Sequence, residues 1–449
     1  MKLVTNVAVW GVGSYFYKLF PCLVTSGLKI DYVIDSDEFK QGKKYTEENI
    51  LCISPDEIGS RHITYVLIAT INKQISAQIE IRLRQEGVEY DYADWYLDGL
   101  QLIRLNKDEQ LSAPETERKL KRVIFLQIPT NFCNMRCEYC YLIQKDDVLR
   151  YGERTRYPHR PEFLAAAMSR KRLGGMAYID ITTTGETLLY GDVVELTRLF
   201  LIEGHVVSIT TNGTVSKVID RLLELPDDLK ERLFIRCSFH YLELKRLNML
   251  DEFFENVRKI RNSAASVTVM MVASDVYLPY KEEIKSWFMS RLGALPQLDF
   301  VRESTKEDYT LDSDKNLDNY IKVWDDFQSK KFEHRKYYFG RHIHEFCHAG
   351  NKCFLLNIFT GEVSPCPQMP AFTNAFTDIS KEIELKSVGQ KCPCEWCIYS
   401  IMWANFGAID TPWHGQGYAE TLNRIDAEGN SWIKPKLYSV LNMEINGQE

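Results

Sequence analysis

Three cysteines, Cys133, Cys137 and Cys140, stand in the spacing C-x3-C-x2-C directly after an apolar run, residues 123–128. That run reads as a buried strand. A structural zinc or a closed iron–sulfur cube usually takes four thiolate or imidazole ligands. Three thiols on one short loop leave one metal position open to an outside ligand, and Tyr139, just before the last cysteine, offers a flat surface and a backbone edge for an adenine. A zinc knuckle and three unrelated buried thiols are the competing readings. Zinc needs a fourth ligand, and the closest histidine, His159, lies well downstream past a charged, tyrosine-rich loop.

A second group of thiols follows far along the chain. Cys347, Cys353 and Cys366 flank a hairpin pattern, with a strand at 355–359, a turn at 360–362 and a return at 363–365, and Cys392, Cys394 and Cys397 come after an acidic connection. A hairpin there brings Cys366 back toward Cys347 and Cys353. A zinc ribbon is the other reading of this pattern. Nine of the chain's twelve cysteines sit in these two groups, which favours metal over disulfides. Cys22, Cys52 and Cys237 fall on apolar patterns and read as core.

The elements that must position the first group are strand-length apolar runs at 123–128, 177–183, 206–211, 233–239, 266–273 and 297–301, with helical patterns between them. Six strand–helix units in succession imply a partial parallel (β/α)6 barrel of the TIM type, in which chemistry gathers at the C-terminal strand ends.

With this context the cysteine loop resembles the signature of the radical S-adenosylmethionine (radical SAM) family. The resemblance implies that Cys133, Cys137 and Cys140 hold a 4Fe–4S cluster, whose open iron chelates the amine and carboxylate of S-adenosylmethionine, with Tyr139 beside the adenine. Thr184-Gly185-Glu186-Thr187, after the second strand, is similar to the family's Gly-Gly-Glu-Pro stretch; Gly185 and Glu186 then bind the methionyl amine, while two threonines replace the outer glycine and the proline. Thr210-Thr211-Asn212-Gly213-Thr214 matches the family's ribose-side turn and implicates Asn212; Ser238 and His240 end the fourth strand, where relatives place a polar contact to the cofactor. The later cysteines resemble the family's C-terminal SPASM domain or its shorter twitch form. That implies one auxiliary 4Fe–4S cluster on Cys347, Cys353 and Cys366, with one or two of Cys392, Cys394 and Cys397; two clusters with incomplete thiolate shells are the alternative. Where sulfatase-maturing relatives carry an aspartate base, this chain has Pro367, so Asp299, Arg302, Glu303 and His414 become the acid–base candidates. Trp403, Trp413, His414 and Tyr418 read as pocket lining or, more commonly, core.

Residues 5–98 form a further α/β pattern. A strand ends in Gly11-Val12-Gly13, Asp35 follows about twenty residues on, and Phe16 stands where a dinucleotide fingerprint has its third glycine. The expectation is a Rossmann-like, nucleotide-type module, whose glycines either approach a phosphate or only make the tight turn. The division expected is 1–98 for this domain, 99–121 as a linker, 122–330 for the barrel and 331–449 for the auxiliary-cluster domain.

Bulk properties limit the partners. The chain has 449 residues and a net charge of −7, which argues against a duplex nucleic-acid binder. No run approaches the ~18 apolar residues of a membrane span, and the start reads as a strand, not a signal peptide. The expectation is a cytoplasmic oxidoreductase- or lyase-type enzyme that meets flavodoxin or ferredoxin as electron donor. Its expected substrate is a sugar, cyclitol or nucleotide-linked small metabolite. A peptide-modifying enzyme and a non-catalytic iron–sulfur or nucleotide sensor are the alternatives.

Overall fold

The computed structural model describes residues 6–25, 28–70, 72–93, 119–130, 132–140, 158–303, 310–390, 392–410, 417–443 and 445. The chain divides into two compact units, residues 1–112 and 113–449.

The first unit is a six-stranded sheet of β1 (Val7–Trp10), β2 (Tyr32–Ile34), β3 (Lys44–Tyr45), β4 (Ile50–Ile53), β5 (Tyr65–Ile68) and β6 (Glu89–Tyr92), in the order β3-β4-β2-β1-β5-β6. All neighbours are parallel except β3 with β4. Alternate residues of β1 face opposite layers. Val7 and Val9 pack with Phe16, Phe20 and Leu23 of the helix Ser14–Thr25, whereas Ala8 and Trp10 pack with Ile79 and Leu83 of the helix Lys73–Gln85. The strand order reverses between β1 and β5, the place where open α/β sheets leave a crevice at their carboxyl ends.

The second unit is organised by a nine-stranded sheet. Its first six strands are β7 (Arg122–Ile128), β8 (Ala177–Thr183), β9 (Val206–Thr211), β10 (Leu233–Ser238), β11 (Ser266–Ala273) and β12 (Gln297–Phe300). Each pairs in parallel with the next. Buried on both faces, they read in the sequence as almost unbroken apolar runs. The helices Val193–Ile202 and Leu250–Asn262 cover the outside through Leu196, Phe200, Phe253, Val257 and Ile260, all buried. Among the described residues the sheet does not close, as a partial barrel requires.

The cysteine-rich region continues this same sheet. β13 (Cys353–Asn357) pairs in parallel with β7, in a register that sets Cys353 beside Val123 and Asn357 beside Gln127, and β14 (Glu362–Ser364) and β15 (Thr373–Asn374) follow antiparallel. The hairpin thus starts two residues earlier than the 355–359 strand read from the pattern. Among the described residues no helix is long and apolar enough to cross a membrane.

Candidate active site

The C-terminal ends of β7 to β12 surround a cavity of about 650 Å³. The cysteine loop forms one side. Met135 anchors it, buried to 1% exposure. The Arg136 N–H donates to Glu243 Oε2 at 2.7 Å, and the Cys140 N–H donates to the Cys137 carbonyl at 3.0 Å. Cys133, Cys137, Tyr139 and Cys140 all line the cavity. The Tyr139 hydroxyl lies 2.7 Å from His240 Nδ1 and 2.7 Å from the Tyr277 hydroxyl. Burial pushes the His240 imidazole down to about 4, so it is neutral near pH 7.

The loop after β8 presses against the cysteine loop. The Glu186 N–H donates to the Phe132 carbonyl at 2.8 Å, and a Cβ on Gly185 would stand 2.1 Å from that same oxygen. Only glycine fits this approach. The contact delivers Glu186 to the cavity, where its carboxylate accepts from the Leu188 N–H (2.9 Å), the Thr211 hydroxyl (2.6 Å) and the Asn212 N–H (2.6 Å). All three donors are neutral. Burial therefore raises the carboxyl's proton affinity against the pull of these bonds, and a carboxylate with about four lone-pair positions has room for a further donor. Asn212 ties the third loop to the first: its Nδ2 donates to Asn134 Oδ1 at 2.7 Å, and its Oδ1 accepts from the Thr214 hydroxyl at 2.7 Å.

Burial favours the protonated form of the loop thiols. Burial raises Cys133 to about 12, and burial with the neighbouring thiols raises Cys137 further. Such thiols become good ligands only when bound cations compensate the thiolate charge. Among the described residues no three Cys, His, Asp or Glu side chains close around a single ion. A cube asks for a different arrangement, with thiolates spread over separate corners.

The far wall is built by the cysteine-rich region. Pro367, Ile398 and Tyr399, each next to or near a cysteine in the chain, line the cavity. Behind them the thiols form one group. Cys394 lies against Cys366 and Cys392, the first contact contributing most to pushing Cys394 up to about 12. Burial, then Cys347 and Cys397, raise Cys353, while burial with Cys392 as a smaller contributor raises Cys347 to about 11. All eleven cysteines whose side chains are described are free of disulfides.

Charged groups hold the floor. Arg236 on β10 donates to Asp180 Oδ1 on β8 at 2.6 Å and to the Tyr418 hydroxyl at 3.0 Å. Asp299 on β12 takes Arg335 Nε and Lys331 Nζ, each at 2.7 Å. Burial opposes ionisation of Asp299, but Arg335, Lys331 and Arg302 outweigh it and hold the carboxyl well below its usual range. Asp299 is thus a counter-ion, which corrects its reading as an acid–base group. Glu303 lies outside the cavity lining; its Oε2 takes the Thr310 hydroxyl at 3.3 Å. His414 and Trp413 lie outside the described residues. Trp403 and Tyr418 are core, at 1% and 0% exposure. Ser238 and Arg302 line the cavity.

Sequence reasoning missed Asp180, Arg236, Lys331 and Arg335. The first two carried a signal, since a charge inside a strand otherwise buried on both faces must point into a barrel lumen. Lys331 and Arg335, four apart on the helix Lys330–Tyr338, look in the sequence like one solvated basic stripe.

In the first unit the glycine turn is closed by its own chain. Asp35 accepts from the Val12 N–H (2.8 Å) and the Asp37 N–H (2.9 Å) and pairs with Lys40 at 2.9 Å. Phe16, in place of the third glycine, is fully buried with its ring 5.0 Å from that of Phe20. Asp35 thus closes the glycine turn from within and pairs its charge inside the unit.

A parallel α/β sheet thus carries a three-cysteine loop, a buried carboxylate and a threonine–asparagine turn at successive strand ends. Residues 128–275, less than half of the chain, match the model of the Radical SAM superfamily, and a 4Fe–4S cluster and S-adenosylmethionine are the cofactors of such a domain. No curated protein matches. Among solved structures, anSMEcpe with bound AdoMet is 16% identical over 55% of this chain and 72% of its own, with a TM-score of 0.39. Streptococcus suis SuiB bound to S-adenosylmethionine is 14% identical over 69% and 73%, with a TM-score of 0.40. BtrN in complex with AdoMet and 2-DOIA is 15% identical over 57% and 79%, with a TM-score of 0.32. All three are distant likenesses.

Proposed function

We propose that the chain is a radical SAM oxidoreductase that takes hydrogen from a small metabolite of the sugar, cyclitol or nucleotide-linked kind, assisted by an auxiliary cluster. The observation that carries the site reading is Glu186. It is a buried carboxylate with three neutral donors and, among the described residues, no cationic partner, and it lies on the same cavity as Cys133, Cys137 and Cys140. A charge so placed calls for a bound cation, and the ammonium of S-adenosylmethionine supplies one. When bound, the cluster and S-adenosylmethionine supply the 5′-deoxyadenosyl radical that abstracts hydrogen.

The chain's own residues do the remaining work. Cys133, Cys137 and Cys140 hold the cluster, Tyr139 is fixed through His240 and Tyr277 beside the adenine, and Asn134 and Asn212 lock two of the loops into one cradle. The later cysteines, of which Cys366, Cys392 and Cys394 neighbour one another, would hold one auxiliary cluster, which would supply an acceptor for the electron of a substrate radical. The small-metabolite reading is supported by the cavity, whose roughly 650 Å³, shared with S-adenosylmethionine, leaves room for a small substrate. The small-metabolite reading is supported also by an N-terminal unit built on a mostly parallel α/β sheet instead of a small peptide-gripping fold. The test is 5′-deoxyadenosine yield from reduced protein supplied in turn with nucleotide sugars, aminocyclitols and peptides. The reading expects stimulation by one of the first two; stimulation by peptides alone would replace it.

A further inference from the structure

One residue touches both walls of the chemistry. Arg335 is 5% exposed, and its guanidinium donates to Asp299 Oδ1 at 2.7 Å, to the Ile398 carbonyl at 2.7 Å and to the Ser400 hydroxyl at 3.3 Å. Ile398 follows Cys397 in the chain, so this bond places the guanidinium one residue from an auxiliary thiol. On its other side Asp299 holds Lys331 at 2.7 Å, and both Asp299 and Lys331 line the cavity. A continuous row of charged groups therefore runs from the cavity to the auxiliary cysteines: Lys331, Asp299, Arg335, then the Cys397 segment. Arg335 with Asp299 and Lys331 is a set of two cations and one anion. Its excess positive charge is buried, where salt screens it little.

We infer that Arg335 is a positioning residue that raises the reduction potential of an auxiliary cluster bound through Cys397, so that the cluster draws an electron from the cavity side. Adding an electron beside a buried cation is favourable by Coulomb's law, and the same electron beside an unshielded Asp299 is disfavoured. Arg335 contributes its charge and Asp299 subtracts from it, so the two residues act with opposite sign. Lys331, farther along the row, contributes a smaller effect of the same sign as Arg335. The inference rests on the reading that the later cysteines hold a cluster.

The test uses full-length protein with Cys133, Cys137 and Cys140 each replaced by Ala, reconstituted anaerobically, so that only auxiliary iron is titrated by EPR-monitored potentiometry. In that background R335Q keeps a donor for the Ile398 carbonyl but loses the charge. It is expected to lower the reduced-to-oxidised ratio at fixed potential about tenfold, a shift of about 59 mV to the negative for a one-electron couple. R335K restores most of the shift, and D299N moves the potential the opposite way. A purely structural role would not give opposite signs for two residues in one ion pair. A loaded cluster whose potential R335Q leaves unmoved would overturn the inference alone. No iron–sulfur signal in the parent protein would overturn the auxiliary-cluster reading and the inference with it.

Discussion

Two carboxylates, Asp35 and Glu186, stand just beyond the ends of parallel strands, each beside a glycine turn, and they have opposite fates. Asp35 closes its own turn and pairs with Lys40, so its charge is spent inside the first unit. Glu186 receives three neutral hydrogen bonds in a buried cavity, and burial raises its proton affinity. In sequence both look like ligand-binding acids. What separates them is the partner each finds among the described residues: a cation for one, none for the other. A buried charge left without an internal counter-ion marks a binding site better than a glycine-acid spacing does.

The comparison breaks first at Glu186. E186Q is expected to weaken S-adenosylmethionine binding by at least about 100-fold, or ~2.8 kcal/mol, by calorimetry on cluster-loaded protein. The unliganded protein should lose no more than about 1–2 kcal/mol, because the amide relieves a buried charge while leaving one N–H without its acceptor. An affinity loss no larger than the stability loss would make Glu186 structural. Next comes Gly185. G185A drives a methyl group toward the Phe132 carbonyl and should cost about 2 kcal/mol in denaturant melts while lowering iron uptake.

Smaller effects sharpen the contrast. His205 is buried, with Nε2 donating to the Met168 carbonyl at 2.8 Å and Nδ1 accepting from the Ala177 N–H at 3.1 Å. That geometry requires the neutral ring, and burial lowers its proton affinity to about 3. Below about pH 6.5 the unfolded chain binds a proton that the folded one refuses, so stability falls with pH through this window by up to about 1.4 kcal/mol per unit. Thermal melts at pH 5 and 7 should show it, and H205Q should flatten the dependence. Smallest is D35N. Losing the part-exposed pair with Lys40 costs about 1 kcal/mol or less. It should leave 5′-deoxyadenosine formation untouched; a clear loss would return Asp35 to the list of functional residues.

Much of this was legible because parallel strands covered on both faces leave continuous apolar runs. The strands β8, β9 and β11 begin and end where those runs do, and β7, β10 and β12 differ by one residue. Strands β3 and β6 were not legible: one is two residues long, and the other, Glu-Tyr-Asp-Tyr, is polar. The pairing of β13 with β7 joins segments more than two hundred residues apart, and no local pattern encodes it. The cysteine loop stood out by its spacing, whereas Glu186 and Asn212 stood out only through the family resemblance; that they line one cavity follows from their places at successive strand ends. The Lys331–Asp299–Arg335 row was not, because burial of a basic helix stripe is decided by what packs over it.

The most direct test of the account is 5′-deoxyadenosine formation by anaerobically reconstituted, dithionite-reduced protein, set beside the same protein with Cys133, Cys137 and Cys140 changed to Ala. Product from the wild type alone, rising with an accepted metabolite, is the predicted result. A loaded and reduced wild type that forms no more product than the cysteine variant, across every substrate class supplied, would contradict it.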